Sequence, residues 1–232
     1  MNIKLFIEET NKLGINLTEE QLNKLNKFYE LLISWNQKMN LTRITAKEEV
    51  YLKHFYDSLT LSKVIDLTES LTLCDVGSGA GFPGIVLKIV FPNLKIKLVD
   101  SLQKRVNYLN EIIKDLELED IEAIHDRAES YAKNHREEYD VVTARAVANL
   151  KMLSELCIPM VKEEKYFIAM KANIEEELDN SKEILKKLDS NIEHIETFYL
   201  PIENSIRNII KIKKERKTNP IYPRRIEKIK NS

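Results

Sequence analysis

Hydrophobic positions in the first 65 residues recur at the spacing of an α-helix. From Leu22 onward, apolar side chains return every three or four residues, which puts them on one face of a long helix. Six residues share that face: Leu22, Leu25, Phe28, Leu32, Trp35 and Met39. Residues 18–21 form the capping-box pattern that opens it, and a second helical stretch covers about 47–65. We expect a helical extension, residues 1–66, that packs on the remaining chain as a cap.

After residue 70, short apolar runs alternate with amphipathic stretches. The runs predict strands at about 71–76, 95–99, 121–124, 139–143 and 166–170, and the stretches between them predict helices at about 85–90, 102–116, 150–159 and 174–188. Such alternation predicts an α/β fold with a mostly parallel sheet and helices on both faces. Two late runs, 192–200 and 207–213, have no helix between them. We expect them to form an antiparallel hairpin at one edge, which gives a Rossmann-like core over residues 67–216.

Composition indicates a cytoplasmic protein with a substantial core. Of the 232 residues, 43% are hydrophobic, yet no apolar run approaches the roughly 20 residues that cross a bilayer. The N-terminus lacks a signal-peptide pattern. Both cysteines, Cys74 and Cys157, lie in apolar runs, which is typical of reduced core residues. The histidines are scattered, so we expect no metal site, and we expect a monomer that does not contact membranes.

The charge distribution is uneven along the chain. Net charge is −1, but residues 211–230 contain nine basic and two acidic side chains, a net +7, so the rest of the chain carries −8. A basic segment on an acidic body favours a polyanionic partner. The alternative is a solvated, partly disordered chain end. We predict a basic C-terminal tail over residues 217–232, with flexibility beginning after about Glu215.

Glycine is concentrated in one turn. Four of the five glycines lie in residues 77–84, directly after the first predicted strand, where the backbone has to bend sharply and admit a ligand. Residues 79–84 match G-x-G-x-x-G, the dinucleotide fingerprint, and so leave a nicotinamide-dependent oxidoreductase open. Counted from the strand end, however, the pattern begins at Asp75 and is similar to the S-adenosylmethionine-binding turn of class I methyltransferases. Asp75 would then face the ammonium of that ligand.

Other polar residues directly follow predicted strands. Because ligands bind at the carboxyl ends of strands in open α/β sheets, these residues should line one crevice. Asp100 ends the second strand, where a carboxylate can accept hydrogen bonds from a ribose diol. Ala128 and Glu129 follow the third strand, where the loop flanks an adenine, although Glu129 is also compatible with a plain surface acid.

Two basic residues end the later strands. Arg145 has mostly apolar neighbours in the sequence, and a buried arginine needs a partner. It could pair with Glu129 or Asp75, or hold an anionic or guanine-like substrate. Lys171 ends the fifth predicted strand and should line the same crevice. Two residues of the helical extension could reach the crevice or could only cap and pack: His54 and Asp57.

Several stretches together resemble one family, the bacterial 16S ribosomal RNA guanine-N7 methyltransferases, also called glucose-inhibited division protein B. The stretches are WNQKMNLT (35–42), HFYDSL (54–59), DVGSGAGFPG (75–84), RAE (127–129), TARAVA (143–148) and YPR (222–224). They follow the family's order across nearly the whole chain. After Arg224 the chain departs from the pattern, because it lacks the glycine and the proline-containing, lysine-rich end of many relatives.

This resemblance implies a cytoplasmic enzyme that transfers a methyl group from S-adenosylmethionine to N7 of one guanine in the decoding region of 16S rRNA. The implied partner is 16S rRNA, the small ribosomal subunit or its assembly intermediate. A non-catalytic RNA-binding assembly factor stays open as an alternative. Residues expected at the cofactor, from the turn and the resemblance together, are Asp75, Gly77, Gly79, Gly81, Phe82, Asp100, Ala128, Glu129 and Arg145. For such an enzyme, Arg145 and Lys171 are the expected positioning residues, placed to hold RNA phosphate or base.

Overall fold

The computed structural model of the chain describes residues 1–145 and 148–231. Two residues of the TARAVA stretch, Ala146 and Val147, therefore lie outside the described residues. Within the described part, seven strands form one sheet: β1 (Thr72–Val76), β2 (Lys95–Asp100), β3 (Ile121–His125), β4 (Tyr139–Arg145), β5 (Val161–Lys171), β6 (Ser190–Tyr199) and β7 (Ile206–Lys214).

The strand order is β3-β2-β1-β4-β5-β7-β6. Strands β1 to β5 run parallel to one another, whereas β7 pairs antiparallel with both β5 and β6. The predicted parallel sheet with an antiparallel hairpin at its edge is confirmed. The order reverses between β1 and β4, and the crevice beyond their carboxyl ends is where such sheets bind ligands.

Ten α-helices surround the sheet in the described part of the chain: α1 (Ile3–Lys12), α2 (Glu19–Met39), α3 (Lys47–Val50), α4 (Asp57–Leu59), α5 (Gly84–Val90), α6 (Gln103–Asp115), α7 (Ala128–Asn134), α8 (Leu150–Cys157), α9 (Glu175–Lys187) and α10 (Ile226–Lys230). A π-helical turn, Tyr51–Tyr56, joins α3 to α4, and 3₁₀ segments follow α4 (Thr60–Lys63) and α8 (Ile158–Met160). None of these helices is long and apolar enough to cross a membrane.

The N-terminal helices, called the cap below, pack against α5 and α6 and share one hydrophobic core with them and with one face of the sheet. Thr18 and Gln21 form the predicted capping box of α2, and the middle of its apolar face is fully buried. There Phe28 contacts Phe82 of the glycine turn at a ring-centroid distance of 5.4 Å. Farther along α2, Trp35 meets Tyr108 of α6 edge-on at 5.7 Å. The cap thus shares its core with the glycine turn.

Helices α7, α8, α9 and α10 cover the opposite face of the sheet. Cys74 and Cys157 are both buried free thiols in this second core, as predicted. Lys214, which the charge count assigns to the basic segment, is fully buried as well. Its ammonium reaches Glu137 at 3.0 Å and the carbonyl oxygen of Val161 at 2.8 Å.

The prediction of a flexible tail after about residue 215 is wrong for the described residues 216–231. The Arg136 guanidinium donates to the carbonyl oxygens of Thr218 and Tyr222, each at 2.6 Å. Arg224 donates to both carboxylate oxygens of Glu155, which is 1% exposed. A buried carboxylate needs charged partners. Arg136 of the body and Arg224 of the segment therefore fix this segment to the core, a role that net charge alone does not reveal.

Replacing Arg224 should destabilise the protein, because Arg224→Ala leaves the buried Glu155 carboxylate without its guanidinium. We expect the free energy of unfolding to fall by about 3 kcal/mol, the low end for breaking a buried pair, since Arg224 is partly exposed. Denaturant unfolding measures the change. Arg225→Ala removes the neighbouring exposed arginine and should stay within about 0.5 kcal/mol of the parent protein. Equal losses in the two variants would contradict the role of the pair.

Candidate active site

The glycine turn leads from the end of β1 into α5. At Gly79 the backbone is left-handed, with φ of +57°, and the amide donates to Oδ2 of Asp100 at 3.0 Å. A Cβ at Gly84 would lie 2.2 Å from Cδ2 of Leu98, so only glycine lets α5 approach β2 this closely. The turn is therefore held against β2 on one side and open at Gly79 on the other.

Asp75 lies beneath this turn rather than on its open side. The residue is fully buried, and its Oδ2 accepts the amide proton of Gly84 at 2.9 Å, at the start of α5. Oδ1 has no hydrogen-bond partner among the described residues. Burial raises the pKa of Asp75 to about 7. Its contact with a ligand ammonium stays a prediction, whereas its bond to Gly84 fixes the turn to α5.

A first cavity of about 430 Å³ opens above the turn. Its lining comes from the turn, the end of β2 and the cap: Leu41, Thr42, His54, Gly77, Ser78, Gly79, Ala80, Phe82, Asp100, Ser101, Arg105 and Arg145. It thus brings together five of the nine predicted cofactor residues. Four others lie outside this lining: Asp75, Gly81, Ala128 and Glu129. Of these, Ala128 and Glu129 begin α7 beyond the end of β3.

Hydrogen bonds and an ion pair within the protein hold the Asp100 carboxylate in place. It is 3% exposed, and its oxygens accept the amide protons of Gly79 at 3.0 Å and Leu102 at 2.9 Å. The Arg105 guanidinium lies 3.5 Å away. Each carboxylate oxygen has lone pairs beyond those used here. Asp100 can therefore still accept a hydroxyl from a ligand in the first cavity.

Arg145 lies in the wall between this cavity and a second one. Its guanidinium donates to Oδ2 of Asp57 at 2.9 Å, to the Lys53 carbonyl oxygen at 3.1 Å and to Nδ1 of His54 at 3.3 Å. It also lies 5.3 Å from the Phe82 ring centroid. The acidic partner is therefore Asp57 of the cap, and not Glu129 or Asp75. One feature of the sequence is consistent with this pairing. His54 and Asp57 are three residues apart, so on a helix they lie on the same face and can reach the same guanidinium.

His54 is a neutral, fixed side chain. Because arginine only donates, Nδ1 accepts from Arg145, so the ring proton is on Nε2, 2.9 Å from the Thr42 hydroxyl oxygen. The ring stacks on Phe82 with centroids 4.4 Å apart. Burial and the Arg145 charge lower the pKa of His54 to about 3. His54 thus orients Arg145 and carries no charge near neutral pH.

The second cavity, of about 570 Å³, lies on the other side of Arg145 and His54. Its lining is Ile44, Lys53, His54, Asp57, Thr60, Arg145, Met170, Lys171, Ala172, Asn173, Glu177, Phe198, Arg207, Asn208 and Ile209. Four basic and two acidic side chains give this lining a net charge of +2. Sequence reasoning missed Arg207 and Asn208, because nothing in an edge strand indicates which of its residues reach a crevice.

Lys171 is among the basic residues of the second cavity, but it is already paired. Its ammonium donates to the Ala148 carbonyl oxygen at 2.6 Å and reaches Glu177 at 2.8 Å. Glu177 also accepts the Leu150 amide proton at the start of α8. Lys171 therefore joins β5 to two helices, and its contact with RNA stays a prediction.

The sheet order, the glycine turn after β1 and the carboxylate that ends β2 define a class I S-adenosylmethionine-dependent methyltransferase. The fold is similar to that of a SAM-dependent methyltransferase from Aquifex aeolicus, with a TM-score of 0.54 and 18% identity over 78% of this chain and 97% of that one. It is also similar to precorrin-6y C5,15-methyltransferase from Geobacter metallireducens, with a TM-score of 0.52 and 16% identity over 74% and 90%. At these identities the likeness is one of fold.

The chain belongs to the family described as rRNA small subunit methyltransferase G (GidB), whose model matches residues 21–207. It is 53% identical to ribosomal RNA small subunit methyltransferase G of Bacillus cytotoxicus and 51% identical to that of Bacillus licheniformis. Each comparison spans 228 residues, which are 97% of this chain and 95% of the relative. The family resemblance predicted from the sequence motifs is confirmed.

Burial of Asp75 should make stability depend on pH. Its pKa is about 7 in the folded protein and about 3.9 when unfolded. Asp75 therefore stabilises the fold below pH 4, and this contribution is lost as pH rises towards 7. Urea unfolding of the parent protein and Asp75→Asn should show the variant gaining relative stability over that range. Asp66→Asn is the control, because hydrogen bonds from Thr68 lower the pKa of that exposed carboxylate. A pH-independent difference between parent and Asp75→Asn would contradict the assignment.

Proposed function

We propose that this protein transfers a methyl group from S-adenosylmethionine to N7 of a specific guanine in the decoding region of 16S ribosomal RNA. One observation carries the proposal: a glycine-turn cavity and a cationic cavity share a wall formed by Arg145 and His54. The names of its relatives as rRNA small subunit methyltransferases support the same substrate class. We further propose that the protein acts as a cytoplasmic monomer, on the small subunit or its assembly intermediate.

The first cavity fits S-adenosylmethionine. Its lining includes the left-handed backbone at Gly79, where a Cβ would have only the Gly77 carbonyl oxygen within 4 Å, so the space beside this glycine is open. Asp100 presents a fixed carboxylate with free lone pairs, suited to a ribose diol. Phe82 adds an apolar ring to the lining. When bound, the cofactor supplies an electrophilic methyl group.

The chain's own residues supply position rather than acid–base chemistry. Guanine N7 carries a free lone pair, so no base has to remove a proton before it attacks. His54 is neutral, with its proton held towards Thr42, and Arg145 donates three hydrogen bonds within the shared wall. Alignment of two bound reactants can supply up to about 7–11 kcal/mol of the barrier. A rigid wall between the cavities suits that task.

The second cavity suits a nucleotide taken out of its RNA stack. Its lining carries a net charge of +2, which complements the phosphate of an extruded nucleotide. Specific RNA recognition targets loops and unstacked bases, and an enzyme that acts on a base has to extract it first. Arg207 is 23% exposed and Lys53 is equally exposed, so both can reach RNA at the cavity mouth.

Transfer of labelled methyl from S-adenosylmethionine tests the proposal. The acceptor should be small subunits, and separately their naked rRNA, from a strain that lacks the gene. We expect label in N7-methylguanosine of 16S rRNA over multiple turnovers. Label in another nucleoside would overturn the target atom. Cofactor binding without transfer would favour a non-catalytic assembly factor, and NAD(H) binding in place of S-adenosylmethionine would favour an oxidoreductase.

Arg145→Ala should reduce methyl transfer about 100-fold, because small misplacements of bound reactants cost about this much. The measurement is the single-turnover rate at saturating RNA and cofactor. Arg145→Lys keeps the charge but lacks the planar fork that reaches Asp57, Lys53 and His54 together, so it should not restore the rate. Arg225→Ala serves as a control for loss of an exposed arginine. Wild-type rates in Arg145→Ala would contradict the assigned role.

A further inference from the structure

A groove leads out of the second cavity between α8 and α9. A third cavity, of about 330 Å³, shares Glu177 with the second cavity. A fourth cavity, of about 170 Å³, shares Lys151 with the third. Because each cavity has a lining residue in common with the next, the three cavities lie end to end. We call the third and fourth cavities together the α8–α9 groove.

One stripe of α9 runs along this groove. Four residues of its lining recur every three or four positions, so they share one face of the helix: Glu177, Asn180, Ile184 and Lys187. The first and the last are ten residues apart, and at 1.5 Å per residue the stripe is about 15 Å long. The groove therefore has the length for a segment of an extended chain.

Lys151 is the cation that both parts of the groove share. Its side chain is half-buried and makes no hydrogen bond or ion pair within the described residues. The acid of the third cavity, Glu177, is already held by Lys171 at 2.8 Å and by the Leu150 amide at 2.6 Å. The ammonium charge of Lys151 is therefore available to an anion in the groove.

The far end of the groove is also positive. Lys187 is 52% exposed and pairs with the exposed Glu183 at 2.5 Å. The hydrogen bond and charge of Lys187, and then the charge of Lys151, lower the pKa of Glu183, so one carboxylate serves two lysines. Arg224 completes the cations of the lining, and the buried Glu155 matches its charge. One of the three positive charges at this end is thus left without an acid.

The other polar groups of the groove suit the backbone of a nucleic acid. Asn149 and Asn180 line the third cavity, and side-chain amides are among the groups that contact phosphate and sugar oxygens. In the fourth cavity, the Arg224 guanidinium lies 6.0 Å from the Tyr222 ring centroid. An aromatic ring among cationic side chains is the combination found in grooves that bind single-stranded RNA.

We propose that the α8–α9 groove binds the RNA strand that flanks the target nucleotide, with Lys151 and Lys187 each contacting a phosphate. This inference rests on the proposed function, in which the second cavity takes that nucleotide. A strand that leaves the second cavity beside Glu177 enters the groove directly. RNA is favoured because of this continuity and because seven basic and three acidic side chains line the three cavities, a net +4, in a chain of net charge −1.

The salt dependence of binding to naked 16S rRNA tests this contact. Lys151→Ala and Lys187→Ala should each flatten the plot of log affinity against log salt by about 0.7 and raise Kd about 5-fold at ~0.1 M salt, the effect of one phosphate contact on a single strand. Affinity for S-adenosylmethionine should not change. Lys151→Arg should keep the parent values. Lys182→Ala is the matched control, because Lys182 is an exposed, acid-paired lysine of α9 outside the groove lining.

Glu183→Gln should change binding in the opposite direction. It removes the carboxylate that serves both lysines and keeps the size of the side chain, so Kd should fall and the salt dependence should become steeper. Asp179→Asn, which removes another lysine-paired acid of the same helix, should leave both unchanged. A merely structural role of these side chains would not tighten RNA binding.

The possible failures are distinguishable. If the unaltered protein methylates no RNA, the proposed function fails. If it is active and both lysine variants bind naked rRNA with the parent salt dependence, the groove is not an RNA contact. Weaker binding of the variants to small subunits, with parent affinity for naked rRNA, would assign the groove to a ribosomal protein and overturn the inference.

Discussion

The site depends on one buried carboxylate that holds two arginines. Asp57 is 5% exposed, and its oxygens accept from Arg145 at 2.9 Å and from Arg207 at 3.1 Å. A buried charge is costly unless it is paired, and removing one partner of such a pair typically costs several kcal/mol. The three residues come from the cap, β4 and β7. Their contact therefore fixes the N-terminal helices and the edge hairpin at the carboxyl end of the sheet.

This arrangement explains why the two cavities share a wall. Asp57 and the Lys53 carbonyl oxygen hold the Arg145 guanidinium beside the π-helical turn, where it also reaches His54, and π-helical turns are frequent at functional sites. On the side of the first cavity, the glycine turn is tied to Asp75 below and Asp100 beside it. Hydrogen bonds and ion pairs hold the residues of both cavities in place. Such preorganisation suits a reaction that needs alignment of the reactants more than proton transfer.

Local patterns predicted most of the fold and part of the site. The apolar face of α2, the strand–turn–helix at the glycines and the convergence of Asp100, Arg145 and Lys171 at the strand ends all follow from periodicity and position. The partner of Arg145 does not, because Asp57 is 88 residues away in sequence, and Arg207 lies 150 residues beyond Asp57. Such pairings are set by tertiary packing, which a single sequence does not encode in any local pattern.

The basic segment is a second case in which a local sequence pattern did not predict the tertiary contacts. The charge count of residues 211–230 favoured a polyanionic partner or a solvated chain end, yet Lys214 is buried and Arg224 binds the buried Glu155. Net charge reports composition, whereas burial depends on which acids and carbonyl oxygens the fold brings near. The YPR stretch of the family resemblance thus acquires a structural reason, since Arg224 closes the described chain end onto α8.

We propose that cofactor and target base meet at the wall formed by Arg145 and His54. A crystal structure with S-adenosylmethionine bound would show where the cofactor lies. We expect the ligand in the first cavity, with its ribose at Asp100 and its methyl-bearing end directed towards the second cavity. A ligand bound in the second cavity, or in the first with that end directed away from Arg145, would overturn this proposal.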